Sequence, residues 1–296
     1  MAQRKIPPSR VPFDQWPLSV PSHDVWSPNA TVNLSPFARV RERGEIGNVA
    51  KSAIRALDIV ELLARTGRPL RAIEIAGALG LSPSSAHQLL KSMMDSAWLV
   101  FDPLTKRYHP SLRAANAGEA LAESHYGPTV FARLIEAVHR SLGRALTVSA
   151  SQGSFMQILD LFEPGHAPHG ANERRQESIG LRVPIFGSCT GAAWLSAQND
   201  ETVLATARLC RRTLGEQAGD SAPIIELVRR IREQGYAFGG LSADDSSRAI
   251  ALALPATRDG LVLVVSVSGP ADIFQDEREA IAATLKGHIG HCLATA

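Results

Sequence analysis

Apolar and polar positions from Val49 onward alternate with a helical period. Apolar residues fall at Val49, Ala53, Ala56, Leu57, Val60, Leu63 and Ala64, the i, i+3, i+4 spacing of a helix that lays one face on a core. Gly67 and Pro69 predict its end. A shorter helix is expected over Ala72–Leu79, with Ile73, Ile75, Ala76 and Leu79 apolar, and Gly80 stops it. A third begins behind Ser82, a good N-cap, with Pro83 at the first helical position, where its missing N–H costs nothing. Ala86, Leu89, Leu90, Met93, Met94 and Ala97 form its apolar face, and Ser84, His87, Gln88, Lys91 and Asp95 share the other.

The link Gly80-Leu81-Ser82 is short enough to set two helices at a steep angle, as in a helix-turn-helix. Trp98–Phe101, then Asp102-Pro103-Leu104-Thr105, then Lys106–His109 reads as strand, turn, strand. The pattern therefore predicts a winged helix-turn-helix. A helical hairpin with a solvated polar face has the same periodicity. The basic wing at the right distance is what favours DNA.

Beyond this segment, Leu112–Ser124 reads as an Ala-rich linker helix, followed by a helix through Phe131, Leu134, Ile135, Val138 and Leu142. Strand-like runs follow at Ala145–Ala150 and Phe155–Phe162, split by a turn at Gly153. Helices are expected over Thr190–Ala197 and Pro223–Gln234. Strands are expected at Tyr236–Phe238, Ile250–Leu254 and Leu261–Ser268, with Asp259-Gly260 turning the last pair, and a closing helix over Ile281–Cys292. Helices mixed with hairpin-linked strands indicate an α+β domain with an antiparallel sheet. The expected organisation is a Pro-rich extension over 1–47, a DNA-binding domain over 48–110, a linker helix over 111–127 and a second domain over 128–296.

Composition adjusts this picture in three places. Residues 1–47 hold seven of the eighteen prolines and no helical period, the mark of a disordered tail. The interspersed Phe13, Trp16, Trp26 and Phe37 leave open packing on a partner subunit, and Arg39, Arg41 and Arg43 leave open a basic arm. Net charge is +2, yet the chain up to His125 carries fifteen Lys/Arg against eleven Asp/Glu and the remainder sixteen against eighteen. That asymmetry permits nucleic-acid binding at the N-terminal end. Cys189, Cys210 and Cys292 have neither metal-type nor disulfide-type spacing, which suits a reducing cytosol. No apolar stretch is long enough to span a bilayer and no signal-type leader is apparent, so a cytoplasmic protein without cofactor or metal is expected.

The DNA candidates follow from the chemistry of base edges and phosphates. Gln88 suits bidentate bonding to adenine, and His87 suits guanine or phosphate. Ser84 and Ser85, with the free N–H groups of the first turn, suit a phosphate. Lys106 and Arg107 are placed for the backbone phosphates, and Lys91, on the polar face of the third helix, is a further DNA-binding candidate.

Lys51–Leu57, Glu74-Ile75-Ala76, Gly80-Leu81 through Leu89-Leu90, and Asp102-Pro103 through Tyr108 resemble the N-terminal domain of IclR-type transcriptional regulators. The family usually has a basic residue at Pro83 and Arg at Gln88, so the operator is expected to differ from well-known ones. Arg182-Val183-Pro184 before a Gly191-containing helix start, Ile231-Arg232 through Gly235-Tyr236-Ala237, Arg248, and Ser266–Pro270 resemble the family's effector-binding domain. Together the two resemblances cover about residues 48 to 296. They imply a GAF-like C-terminal fold, a double-stranded DNA operator, and a homodimer or tetramer. They add Arg55 to the DNA-binding candidates. They also imply a small organic or aromatic acid held near Ser188, Cys189, Thr190, Ala249, Ser266 and Ser268. Many relatives have Cys at Ala249 and some an acidic residue at Gly239, so a more apolar ligand is also open.

Two rival readings remain at this level. Gly187-Ser188-Cys189-Thr190-Gly191 is G-x-C-x-G, which mimics a nucleophile elbow. Asp259 and His288 or His291 are nominal partners, but Pro184 interrupts the required strand and the βα alternation of that fold is missing. An interaction module that has lost DNA binding is the other. His166 and His169 have no third metal ligand nearby and read as a solvated loop.

Overall fold

Helix α1 (Lys51–Thr66) ends where Gly67 takes a left-handed φ of 61° and donates its N–H to the Leu63 carbonyl. The computed structural model describes residues 50–127, 129–165, 179–186, 188–214, 222–240 and 247–294. Two compact units partition them, one holding the segment up to Val130 together with Gly165 and the other Phe131–Pro164 and the described residues from 179 onward. The Pro-rich extension over 1–47, Val49 and the loop histidines His166 and His169 lie outside the described residues.

In the N-terminal unit α1 is followed by β1 (Leu70–Arg71), α2 (Ala72–Ala78), α3 (Pro83–Asp95), β2 (Leu99–Asp102), β3 (Arg107–Pro110) and α4 (Leu112–His125). The three strands form an antiparallel sheet in the order β1-β3-β2, with Phe101 opposite Tyr108. Ile59, Leu62, Leu63, Leu70, Ile75, Leu90, Met93, Leu99 and Tyr108 make one core.

Several apolar expectations are corrected: Ala53 and Ala64 of α1 are exposed, and Ala97, expected on the apolar face of the third helix, is exposed beyond its end. The buried stripe of α1 is centred on Ile59, Leu62 and Leu63, and Leu57 is 70% exposed. Ile73 is also exposed, because α2 turns Ile75 and Ala76 inward. Strand β1 was not expected. It is two residues long and exists through its pairing with β3.

Helix α3 begins as the sequence predicts, with Ser82 accepting the Ser85 N–H at 3.3 Å and Pro83 in the first turn. It ends in a Schellman arrangement. Trp98 N–H reaches the Met93 carbonyl and Ala97 N–H the Met94 carbonyl, each at 2.8 Å. Ala97 there has φ of 60°, a conformation that favours glycine.

The C-terminal unit is α+β. Its elements are α5 (Val130–Leu142), β4 (Leu146–Gln152), β5 (Phe155–Phe162), β6 (Arg182–Pro184), α6 (Cys189–Ser196), α7 (Asp200–Leu214), α8 (Ala222–Gln234), β7 (Ala237–Gly240), β8 (Ser247–Ala253), β9 (Leu263–Pro270), α9 (Ala271–Asp276) and α10 (Arg278–Ala294). The six strands form one antiparallel sheet in the order β6-β5-β4-β9-β8-β7. Pro184 is accommodated because β6 is an edge strand. Gly260, with φ of 81°, makes the turn between β8 and β9.

Alternation along the strands divides the sheet into two faces. Ala237, Ala249, Ala251, Val264 and Met156 face the core made with α6, α7 and α8, where Ile185, Phe186, Cys189, Val203, Cys210, Ile224 and Val228 are buried. On the other face Gly269 lies against Phe274 of α9, and Arg278 of α10 sits over the Phe238 ring. Helix α5 is tied to α10 by a 2.8 Å hydrogen bond between Ser141 and His288. Helices α7 and α9 were not expected. The inward side of α7 is built from Val203, Thr206, Ala207 and Cys210, so its apolar stripe is made mostly of small side chains.

Candidate functional site

The exposed face of α3 carries Ser84, His87, Gln88, Lys91 and Asp95. Their spacing keeps them on one side of the helix, over a length of about 16 Å at the usual rise. Opposite them, Ala86, Leu90 and Met93 are buried, which sets the rotation of α3 about its axis. Leu81 N–H to the Ala76 carbonyl at 2.9 Å and Gly80 at φ 60° close the turn between α2 and α3.

Ser85 does not offer what the sequence suggests. Its N–H is taken by Ser82 Oγ, and Ser82 Oγ also donates to Ser85 Oγ at 2.9 Å. The first turn is therefore capped by its own side chains, and Ser84 is the more exposed of the two serines.

The wing is a rigid hairpin. Asp102 accepts the Leu104 N–H at 2.9 Å and the Thr105 hydroxyl at 2.5 Å, which hold its carboxyl below the usual carboxylate range. Phe101 and Tyr108 meet across the strands with ring centroids 4.9 Å apart. Lys106 stands exposed with φ of 55°.

Arg107 departs from the expectation of a free phosphate ligand. Its guanidinium donates to the Pro69 carbonyl at 2.8 Å and faces Glu74 at 3.5 Å. Glu74 also accepts the Arg71 N–H at 2.8 Å and pairs with Arg68 at 2.9 Å. That backbone hydrogen bond, then Arg68, hold its carboxyl below 4.5. Arg107 thus fastens the wing to the start of α2, leaving Lys106 as the outward basic group. Arg55 is half-buried on α1.

In the C-terminal unit Ser188 caps α6. It accepts the Gly191 N–H at 3.1 Å and donates to the Pro184 carbonyl at 2.6 Å. The Cys189 thiol points into the sheet, 3.4 Å from the Ala237 carbonyl and 3.3 Å from that of Ala249. Burial pushes this thiol well above its ordinary range, so it is a poor source of thiolate. Ala249 is fully buried. Ser188, Cys189 and Ala249 are thus committed to packing and capping.

Register places Ser266 opposite Thr147 and Ala251, and Ser268 opposite Ala249. Both serines therefore share the α6 face of the sheet. Ser266 is only 5% exposed and Thr190 is buried in the first turn of α6. Sequence reasoning missed Thr147 and Ser149, which join this polar strip from β4. The alternation Thr147-Val148-Ser149-Ala150-Ser151, a hydroxyl at every second position, was the available signal. It also missed Arg232, which joins α8 to the α6–α7 corner. That side chain donates to the Ser196 and Gln198 carbonyls at 3.1 and 2.6 Å and to Asp200 at 2.8 Å.

No three His, Cys, Asp or Glu side chains among the described residues are grouped to hold a metal ion. No helix among them is long and apolar enough to cross a membrane.

A winged helix-turn-helix in one chain with an antiparallel α+β domain defines a two-part DNA-binding regulator. The IclR helix-turn-helix domain model matches residues 52–103, and the bacterial transcriptional regulator IclR C-terminal model matches residues 129–288. The chain belongs to the IclR family and is a DNA-binding transcriptional regulator with a C-terminal effector-binding domain, not an enzyme. It is 23% identical over 251 residues to the HTH-type transcriptional repressor AllR of Salmonella typhi, covering 82% of this chain and 90% of that protein. It is 22% identical over 223 residues to the HTH-type transcriptional regulator XynR of Escherichia coli K12, covering 74% and 86%. Among solved structures, the Thermotoga maritima IclR aligns at a TM-score of 0.49 and 16% identity, covering 83% of this chain and 98% of that one.

Proposed function

We propose that this regulator reads its operator with α3 in the major groove and releases or tightens its grip when a small organic or aromatic acid binds the C-terminal unit. The observation that carries the reading is the exposed α3 face, where Ser84, His87, Gln88 and Lys91 stand together above a buried Ala86-Leu90-Met93 side. Gln88 and His87 are the base-reading groups, because amide and imidazole edges match purine donors and acceptors. Ser84, Lys91, Lys106 and Arg55 hold phosphates. Ser85 and Arg107 keep supporting roles.

The effector lies on the α6 side of the sheet, with the hydroxyls of Thr190, Ser266 and Ser268 as its polar partners and Ser188, Cys189 and Ala249 as the frame. One head reads too few bases for operator affinity, so the working form is a homodimer or tetramer on paired half-sites about one helical turn apart, or multiples of that. Coupling between effector and operator is of the usual size, about 1–3 kcal/mol.

Footprinting and gel shift on the gene's own upstream region, across a salt series, test the DNA half. Phosphate neutralisation requires affinity to fall steeply with salt. A flat response, or no footprint, sinks this half and leaves an interaction module. A thermal-shift screen of aliphatic and aromatic acids tests the other half, because a ligand of the folded state raises its melting temperature. If every acid that raises the melting temperature leaves operator affinity unchanged, the switch is wrong.

A further inference from the structure

Leu104, at the tip of the wing, is 93% exposed, more than any other large hydrophobic side chain among the described residues. A single exposed leucine needs no explanation on most surfaces. Its setting here is unusual in three respects. The tip is held in one shape, by Asp102 on the Leu104 N–H and Thr105 hydroxyl and by the Phe101–Tyr108 pair behind it. Strand β2 carries the chain about 10 Å outward from the buried Leu99 to Asp102, so Leu104 is presented well beyond the core of the head. Lys106 stands exposed two residues on, while the other cation of the hairpin, Arg107, is turned back toward Pro69 and Glu74.

We propose that Leu104 is an apolar wedge that enters the minor groove of the operator, partly unstacks one base step and kinks the duplex, while Lys106 grips the adjoining phosphate. This inference rests on the reading that α3 occupies the major groove. A hairpin flanking a major-groove helix reaches toward the neighbouring minor groove, which is too narrow for a helix but admits a tip. Proteins that work there insert Leu, Phe, Ile, Met or Pro between base pairs, and the side chain gains cover from water as the step opens. Asp102 lies in the same hairpin, but its carboxylate is engaged by the turn. The wedge also assigns a preference at bases that no polar group touches. Pyrimidine–purine steps unstack most cheaply, so a TA or CA step is expected beneath each wing.

The test uses the full chain on the fragment that its own footprint defines, with 2-aminopurine replacing each adenine in turn, since that base brightens when unstacked. The expected result is brightening at one step per half-site. Leu104→Ser abolishes it and weakens binding roughly ten- to a hundredfold, the equivalent of covering one leucine side chain. The salt dependence stays as in the parent protein, because no phosphate contact is lost. Leu104→Phe retains both brightening and affinity. Exposure of the side chain keeps Leu104→Ser folded, which its melting temperature confirms. Unchanged brightening and affinity in Leu104→Ser overturn the wedge, and so does a fall in oligomeric state, which assigns the leucine to a second copy of the chain. A parent protein that leaves no footprint removes the DNA reading itself, an outcome distinct from a parent that binds with no base brightened.

Discussion

The Arg107 guanidinium donates to the Pro69 carbonyl oxygen at 2.8 Å, across thirty-eight positions of chain. That bond couples the wing to the loop before α2, so the two neighbouring basic residues of the hairpin have different work. Arg107→Gln is expected to destabilise the N-terminal unit by about 1–2 kcal/mol, the usual worth of a charge-assisted bond reduced for partial exposure. It leaves the salt slope of DNA binding as it was. Lys106→Gln leaves stability unchanged and lowers that slope by about 1 per head. Urea unfolding and salt-titrated gel shifts on both variants check the division, and an exchange of the two phenotypes overturns it.

Gly191 lies so close to Ile185 that a Cβ would stand 1.9 Å from its carbonyl oxygen. Nothing flexible can give way, because the neighbour is backbone. Gly191→Ala therefore displaces α6 from the sheet and costs about 3 kcal/mol or more. Gly287, in α10, offers the contrast, since a Cβ there meets nothing within 4 Å. Gly287→Ala is expected to stabilise by up to about 1 kcal/mol through helix propensity. Denaturation midpoints of the two variants should move in opposite directions.

Ala97 closes α3 in the left-handed region with φ of 60° and is exposed. A glycine loses nothing there, whereas alanine bears a steric cost. Ala97→Gly should raise the stability of the N-terminal unit by up to about 1 kcal/mol. A lower unfolding midpoint in this variant counts against the Schellman ending.

Glu74 ties the pH response of the head to its folding. Its folded carboxyl is held below the usual 4.5, first by the Arg71 N–H and then by Arg68. A depressed folded value means that the contribution is fully present above pH 4.5 and is lost as pH falls through the lowered value. Stability of the head should therefore fall on acidification below pH 4.5, and Glu74→Gln should flatten that part of the curve while lowering stability at neutral pH. An unaltered acid limb in the variant removes Glu74 from the account.

Much of the architecture was legible because its signals are local. The caps at Ser82 and Gly67, the hairpin around Asp102, and the apolar strand runs of β4, β5, β8 and β9 each depend on neighbours within a few residues. What escaped had no local signal. Strand β1 is two residues that become a strand only by pairing with β3. Helix α7 is the exception, since Asn199 caps its first turn and Val203, Ala207 and Cys210 recur at helical spacing, a local signal that sequence reasoning missed. The candidate site divides in the same way. The outward side of α3 follows from the helical period, while the inward turn of Arg107 and the capping of Ser85 depend on partners that periodicity does not name.

Helix α1 marks the limit most clearly. Apolar residues at 54, 56, 57, 59, 60, 62 and 63 establish from sequence alone that a helix packs here. They cover so wide an arc that helical spacing alone leaves two sides, one with Leu57 and one with Ile59, open to the core. Tertiary packing against α3 and the wing decided between them, burying Ile59, Leu62 and Leu63 and leaving Leu57 in solvent. Sequence determined that this chain has a capped, winged DNA-binding head joined to an antiparallel α+β domain, because caps, turns and periods act between near neighbours. Tertiary structure alone decided which basic residue faces outward and which sheet face carries the hydroxyls of Thr147, Ser266 and Ser268, because each depends on register and on partners distant along the chain.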